Sequence, residues 1–229
     1  MPDPLEARLE LLERKLRCRE RFLRYREERA GQKCKLSLSS GPFYIEGWLC
    51  TDIVPREENN IFYCDMRHDF PFEDDCFDFI FCEHGIEHIE FEEAIICLSE
   101  CRRVLKKKGV LRLTTPALDK WLNYYAVDSD IHDRATKFAT DKWLKTAGDM
   151  KLYSKCLVFN NALRNWDHKI LYDFTTLKQI LLSLEFAGVR AEAIGQSRHQ
   201  ELRNLERHGL REPFKEYNEM EVMILEAEK

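Results

Sequence analysis

The spacing of apolar residues changes along this chain, dividing it into a helix, a series of short strands and an irregular stretch before a closing helix and strands. From 4 to 30, Leu5, Leu9, Leu12 and Leu16 recur at helical spacing, followed by Phe22 and Leu23, while Arg and Glu fill the other faces. This predicts one long, charge-laced helix. It either lies against its own domain, the plainer reading, or pairs with a second copy of the chain; the stripe is short for a coiled coil. After Gly31 short apolar runs predict strands near 34–38 (CKLSL), 48–52 (WLCTD), 61–64 (IFYC), 77–82 (FDFIFC) and 110–115 (VLRLTT). A helix over 90–107 carries Phe91, Ala94, Ile95, Leu98, Cys101 and Leu105 on one face. A helix over 175–186 and strands at 189–194 and 221–227 close the pattern.

Apolar strands separated by helical segments imply an α/β fold: a doubly wound, Rossmann-like, mostly parallel sheet of seven strands with right-handed crossovers. Residues 1–31 read as an N-terminal helical extension and 32–229 as the main domain, with a helical insert at 117–168 before the last helix. That insert holds Trp121, Tyr124, Tyr125, Trp143, Tyr153 and Trp166. A connection of this length is a lid or partner surface, or two extra helices packed by their aromatics; the sequence leaves both open.

Composition narrows the function. Net charge is −5, with 34% charged and 44% hydrophobic residues, which fits a soluble globular domain and disfavours nucleic acid as a partner. No apolar run reaches the length of a membrane span and the start lacks a signal-peptide core, so a cytoplasmic protein is expected. The nine cysteines are scattered without a C-x-x-C pair and read as reduced, mostly buried thiols rather than zinc ligands.

In an open parallel sheet, ligands bind beyond the carboxyl ends of the strands where strand order reverses. Four such ends carry suitable groups: the Ser39-Ser40-Gly41 bend, Asp52, Asp65-Met66, and Cys82-Glu83-His84. The bend offers backbone N–H groups to an anion, the aspartates accept from hydroxyls or a base, and Met66 offers a soft apolar surface. His84, His132 and His168 are candidate proton acceptors, with Asp119 as a carboxylate option. Each has a structural alternative: His84 as a loop cap, His88 packed at a helix start, Ser197-Arg198-His199 as surface.

Order and spacing resemble a family. LSLSSG…GWLCTD (36–52), Asp65-Met66, Phe70-Pro71-Phe72-Glu73-Asp74, Phe77-Asp78, His84-Gly85-Ile86-Glu87-His88 and Arg103-Val104-Leu105-Lys106-Lys107-Lys108-Gly109 are similar to motifs of class I methyltransferases of the type 11 group. The resemblance covers most of the chain. It implies S-adenosylmethionine as cofactor, bound by Ser39, Ser40, Gly41, Asp52, Ile53, Asp65, Met66, Glu83 and His84, and His84, His168 or Asp119 as catalytic residues. Methyl transfer to oxygen needs positioning and a base but no metal. A small or saccharide acceptor is expected, the saccharide by association with glycan-building relatives alone. Ser39 stands where the family has its first glycine, and the gap from Leu38 to Asp52 leaves little room for a first helix. These features motivate a second reading, a catalytically silent methyltransferase-like binding module. A nicotinamide oxidoreductase is disfavoured, since no G-x-G-x-x-G follows the first strand.

Overall fold

The computed structural model describes residues 3–144, 151–208 and 215–229. Seven strands form one sheet: β1 (Lys35–Leu38), β2 (Leu49–Asp52), β3 (Ile61–Tyr63), β4 (Phe77–Glu83), β5 (Leu105–Pro116), β6 (Ala187–Glu192) and β7 (Val222–Glu228). Their order is β3-β2-β1-β4-β5-β7-β6. The first five run parallel, and β7 is antiparallel to both β5 and β6.

Side chains alternate across this sheet and meet two different coverings. One face sends Leu36, Leu38, Leu49, Ile80, Leu111 and Leu225 into a core shared with α1 (Pro4–Glu28), α2 (Phe91–Val104) and α6 (Phe174–Ser183). Helix α1 starts with Asp3 accepting from the Leu5 amide and Pro4 in the first turn. Its second half buries Cys18, Phe22 and Tyr25, and the Phe22 ring lies 5.1 Å from that of Phe72. Its first half stays exposed, leucines included. On the opposite face Cys50, Ile61, Phe79 and Phe81 are covered by Ile45 and Trp48 from the β1–β2 stretch and by Leu202 from a 3-10 turn, Gln200–Leu202. The ten-residue stretch between β1 and β2 contains no helix, and only a 3-10 turn, Glu57–Asn59, lies between β2 and β3.

Helix α2 ends at Val104, three residues before its expected limit. Leu105 turns extended to pair with Phe77, and Lys106 Nζ reaches Asp78 at 2.7 Å. The Lys-Lys-Gly turn is therefore part of β5. The insert builds α3 (Leu118–Ala126), α4 (Asp130–Trp143) and α5 (Lys155–Arg164), which pack with α7 (Lys215–Glu221) around Trp121, Tyr124, Val158 and Tyr217. Helix α7 has no counterpart in the sequence reading, and 145–150 of the expected insert lie outside the described residues.

The sheet buries a guanidinium together with its carboxylate partners. Arg112 on β5 donates to Glu206 and to Glu226, each at 2.7 Å, and to the Gln196 carbonyl at 2.9 Å, tying the 194–208 segment to the sheet. Eight of the nine cysteines are buried and Cys156 is exposed, all as free thiols. Among the described residues no helix is long and apolar enough to cross a membrane.

Candidate functional site

Strand order reverses between β1 and β4, and the loops leaving these two strands meet there. Ser39 and Gly41 both take positive φ, +52° and +56°, and His84 does so at +48°. Two non-glycine residues held in the left-handed region on facing loops mark a strained, over-determined junction. Gly85 permits their approach, because a Cβ there would lie 2.8 Å from the Ser39 Cβ and 2.9 Å from the Cys82 Sγ.

Two cavities open at this junction. The smaller, about 250 Å³, is lined by Ser39, Ser40, Gly41, Phe43, Glu83 and His84. The larger, about 460 Å³, runs toward the insert and is lined by His84, His88, His168, Trp143, Trp166, Tyr217 and Glu221 among others. Phe43, His84, His88, Arg207 and His208 border both, so the two adjoin. Aromatic walls with a few convergent polar groups are usual for a small-molecule site.

The polar groups form a chain. Glu87, fully buried, accepts from His84 Nδ1 at 3.0 Å on one oxygen and from the Thr115 hydroxyl at 3.1 Å on the other. Its backbone carbonyl accepts from the Lys169 amide at 2.7 Å and the Ile170 amide at 3.4 Å, fastening the end of the insert to the 3-10 turn Ile86–His88. Burial works against a charged His84, but the hydrogen bond and charge of Glu87, with Glu221 and Glu83, raise it to about 9. Burial likewise opposes an ionised Glu87, and the His84 contact holds it below its ordinary value. His84 is thus an imidazolium at neutral pH. Its Nε2 is buried and has no hydrogen-bond partner among the described residues.

His168 is the opposite case. Burial lowers its pKa, and Nδ1 lies 2.7 Å from the Ala162 carbonyl, which can only accept. Nδ1 therefore carries the proton and Nε2 keeps a lone pair. Its ring stands 4.9 Å from His88 and 5.7 Å from Trp166. Burial also raises Glu221, a third group bordering this cavity, to about 7. Donor atoms of Glu87, His88 and His168 all lie within 4.8 Å of one another, a spacing a metal ion could use. Both Glu87 oxygens are already committed to His84 and Thr115, so the cluster reads as a proton network.

The remaining sequence candidates separate. Ser39, Ser40, Gly41, Glu83 and His84 share the smaller cavity, which Asp52, Ile53, Asp65 and Met66 do not line. Asp52 accepts from the Gly41 amide and the Val54 amide, each at 2.9 Å, and so braces the bend. Asp65 holds the Arg67 side chain through two bonds, at 2.9 and 2.8 Å. Asp119 borders a different depression with Ala191 and Glu192, outside the histidine cavity. His132 gives its Nδ1 to the Val127 carbonyl at 2.7 Å in the helical layer, and His199 packs on Phe79.

Glu87, Thr115, Arg207, His208 and Glu221 received no role from sequence. Glu87 had a signal, a carboxylate three residues after His84 in the HGIEH run. His208 had none: it stacks 4.4 Å from His84 because the Arg207 and His208 amides donate to Glu83 at 2.7 and 3.2 Å.

Comparison with known proteins agrees with this architecture. Residues 51–113 match the family model described as "Methyltransferase domain". A chain from the Haloferax volcanii complex of the Trm112 methyltransferase activator shares the fold at a TM-score of 0.50, with 11% identity over 100% of this chain and 98% of that one. A SAM-dependent methyltransferase from Archaeoglobus fulgidus aligns at 0.49, with 16% identity over 99% and 100%. No curated protein matches.

Proposed function

We propose, from the match of residues 51–113 to a methyltransferase domain and from the shared fold, that the chain is a class I S-adenosylmethionine-dependent methyltransferase and methylates a hydroxyl oxygen of a small or saccharide acceptor held in the aromatic cavity. S-adenosylmethionine, the family's cofactor, supplies a methyl group made electrophilic by a sulfonium. One observation supports a fit for it: the unpartnered His84 Nε2 beside the Ser39–Gly41 bend, a buried donor awaiting an acceptor. Ser39, Ser40, Gly41, Glu83 and His84 would hold one end, and Asp52, Ile53, Asp65 and Met66, at neighbouring strand ends, the nucleoside side.

The observation that carries the chemistry is the split between two histidines bordering one cavity. His84, already protonated, donates and orients. His168, neutral with a free Nε2, accepts the acceptor's hydroxyl proton as its oxygen takes the methyl group. Trp143, Trp166 and Tyr217 provide faces on which a sugar ring or another flat acceptor stacks. The saccharide assignment rests on family association and on these aromatics. A second copy of the chain, joined through α1, belongs to the same reading.

The competing reading, a silent binding module, draws on Asp52 and Asp65 both being engaged within the chain. Titration calorimetry with S-adenosylmethionine and its demethylated product separates the two, since no heat at high micromolar ligand favours the silent module. Mass spectrometry of hydroxyl-bearing acceptors then reads the transfer. His168→Ala is expected to lower turnover by roughly 10²–10⁴-fold while leaving donor affinity within about threefold. Equal losses in both would remove His168 from the reaction.

A further inference from the structure

The first half of α1 carries an apolar line that its own domain does not use. Residues 3–13 are exposed throughout, and Leu5, Leu9, Leu12, Leu16 and Leu23 keep 63, 52, 55, 56 and 43% of their surface exposed. At about 100° per residue these five leucines fall within an arc of about 60°, centred about 140° from the face of Cys18, Phe22 and Tyr25 that meets the core. The line therefore points away from the domain, in contrast to an amphipathic helix whose single apolar face is spent on packing.

Charges flank the line with a rule. Leu5 and Leu12 take the d positions of a heptad and Leu9, Leu16 and Leu23 the a positions. Every e position is then acidic: Glu6, Glu13, Glu20 and Glu27. The g positions are Arg8, Lys15, Phe22 and Arg29, basic except where Phe22 turns into the core. Arg8, Lys15, Glu6 and Glu20 form no ion pair with the described residues, whereas Arg14 and Arg17 are paired within the chain.

We propose that α1 forms a parallel, in-register, two-stranded coiled coil with a second copy of this chain, which makes specific the pairing included in the functional reading above. In a parallel pair each g residue meets an e residue five positions on, so Arg8 faces the partner's Glu13 and Lys15 faces the partner's Glu20. An antiparallel pair would set bases against bases and acids against acids. The domains do not obstruct this arrangement, because each lies on the outer side of its helix, away from the seam. Arg19 interrupts the seam at a d position before Leu23, and the continuous part spans only Leu5–Leu16. The dimer is accordingly weak, with dissociation on the order of micromolar.

Sedimentation velocity of the full chain from about 1 to about 200 µM tests this. The wild type is expected to pass from monomer to dimer. The Leu9→Glu, Leu12→Glu double variant is expected to weaken association about a hundredfold or more and to stay monomeric. Two charge variants, Arg8→Glu with Lys15→Glu and Glu13→Lys with Glu20→Lys, are each expected to lose the dimer and to recover it when mixed. Under oxidation Leu9→Cys cross-links to itself only in the parallel register. A wild type that remains monomeric at the highest concentration, or a dimer that survives the leucine variant, overturns the proposal; a dimer that Leu9→Cys fails to cross-link overturns its register. Binding of S-adenosylmethionine, measured on the same samples, reports separately on the methyl-transfer reading.

Discussion

Replacing Glu87 by Gln should abolish one component of the pH dependence of stability. In the wild type His84 moves from an ordinary value near 6.5 to about 9 on folding, a rise of about 2.5 units, with burial opposing and Glu87 chiefly responsible. At ~1.36 kcal/mol per unit this is about 3 kcal/mol of stabilisation. Because the folded pKa is the raised one, that contribution is complete below about 6.5 and is lost as pH rises through about 9. Gln is nearly the same size and can still accept from Thr115, but it carries no charge. Burial then favours the neutral imidazole, and His84 should titrate at or below its ordinary value. Urea unfolding of both proteins at about pH 6 and about pH 9.5 measures the difference. Ionisation of the cysteine thiols is common to both proteins and cancels. The stability gap between wild type and Glu87→Gln should narrow by about 3 kcal/mol between these pH values. A gap that stays constant, or a His84 ring-proton resonance titrating below 7 in the wild type, would refute the ion pair.

Arg112→Met should cost about 3–5 kcal/mol, because it leaves Glu206 and Glu226 buried without their shared cation; a denaturant midpoint unchanged from wild type would contradict that role. Gly85→Ala should destabilise by about 1–3 kcal/mol and weaken cofactor binding, since the new methyl would press Ser39 away from the β4 loop. Calorimetry reads the second effect, and wild-type affinity in that variant would mean the two loops need not touch.

The sheet was legible because its signals are local. IFYC and FDFIFC are strands by composition alone, and the Leu38–Asp52 gap foretold the missing helix. The end of α2 was not legible: Leu105 continues the helical periodicity, and only its pairing with Phe77 draws it into β5. The same division holds at the site. The Ser39 bend, Glu83 and His84 follow from their places after strands. Asp119 looked equivalent, yet its position on α3 turns it toward β6 and β7, information that lies in helix packing rather than in spacing. Charge states were the least accessible. His84 and His168 are the same residue type on two loops, and only the carboxylate bonded to one and the burial of the other without such a bond set their charges apart.

The two amides that bond to the Glu87 carbonyl also limit how the cavity can breathe. Lys169 and Ile170 rivet the returning end of the insert to the turn that carries Glu87 and His88. On the proposed reading, this fastening would hold the His168 loop against the Glu87 turn while an acceptor enters the cavity. The groups proposed to move the proton would then keep their spacing as substrate comes and goes.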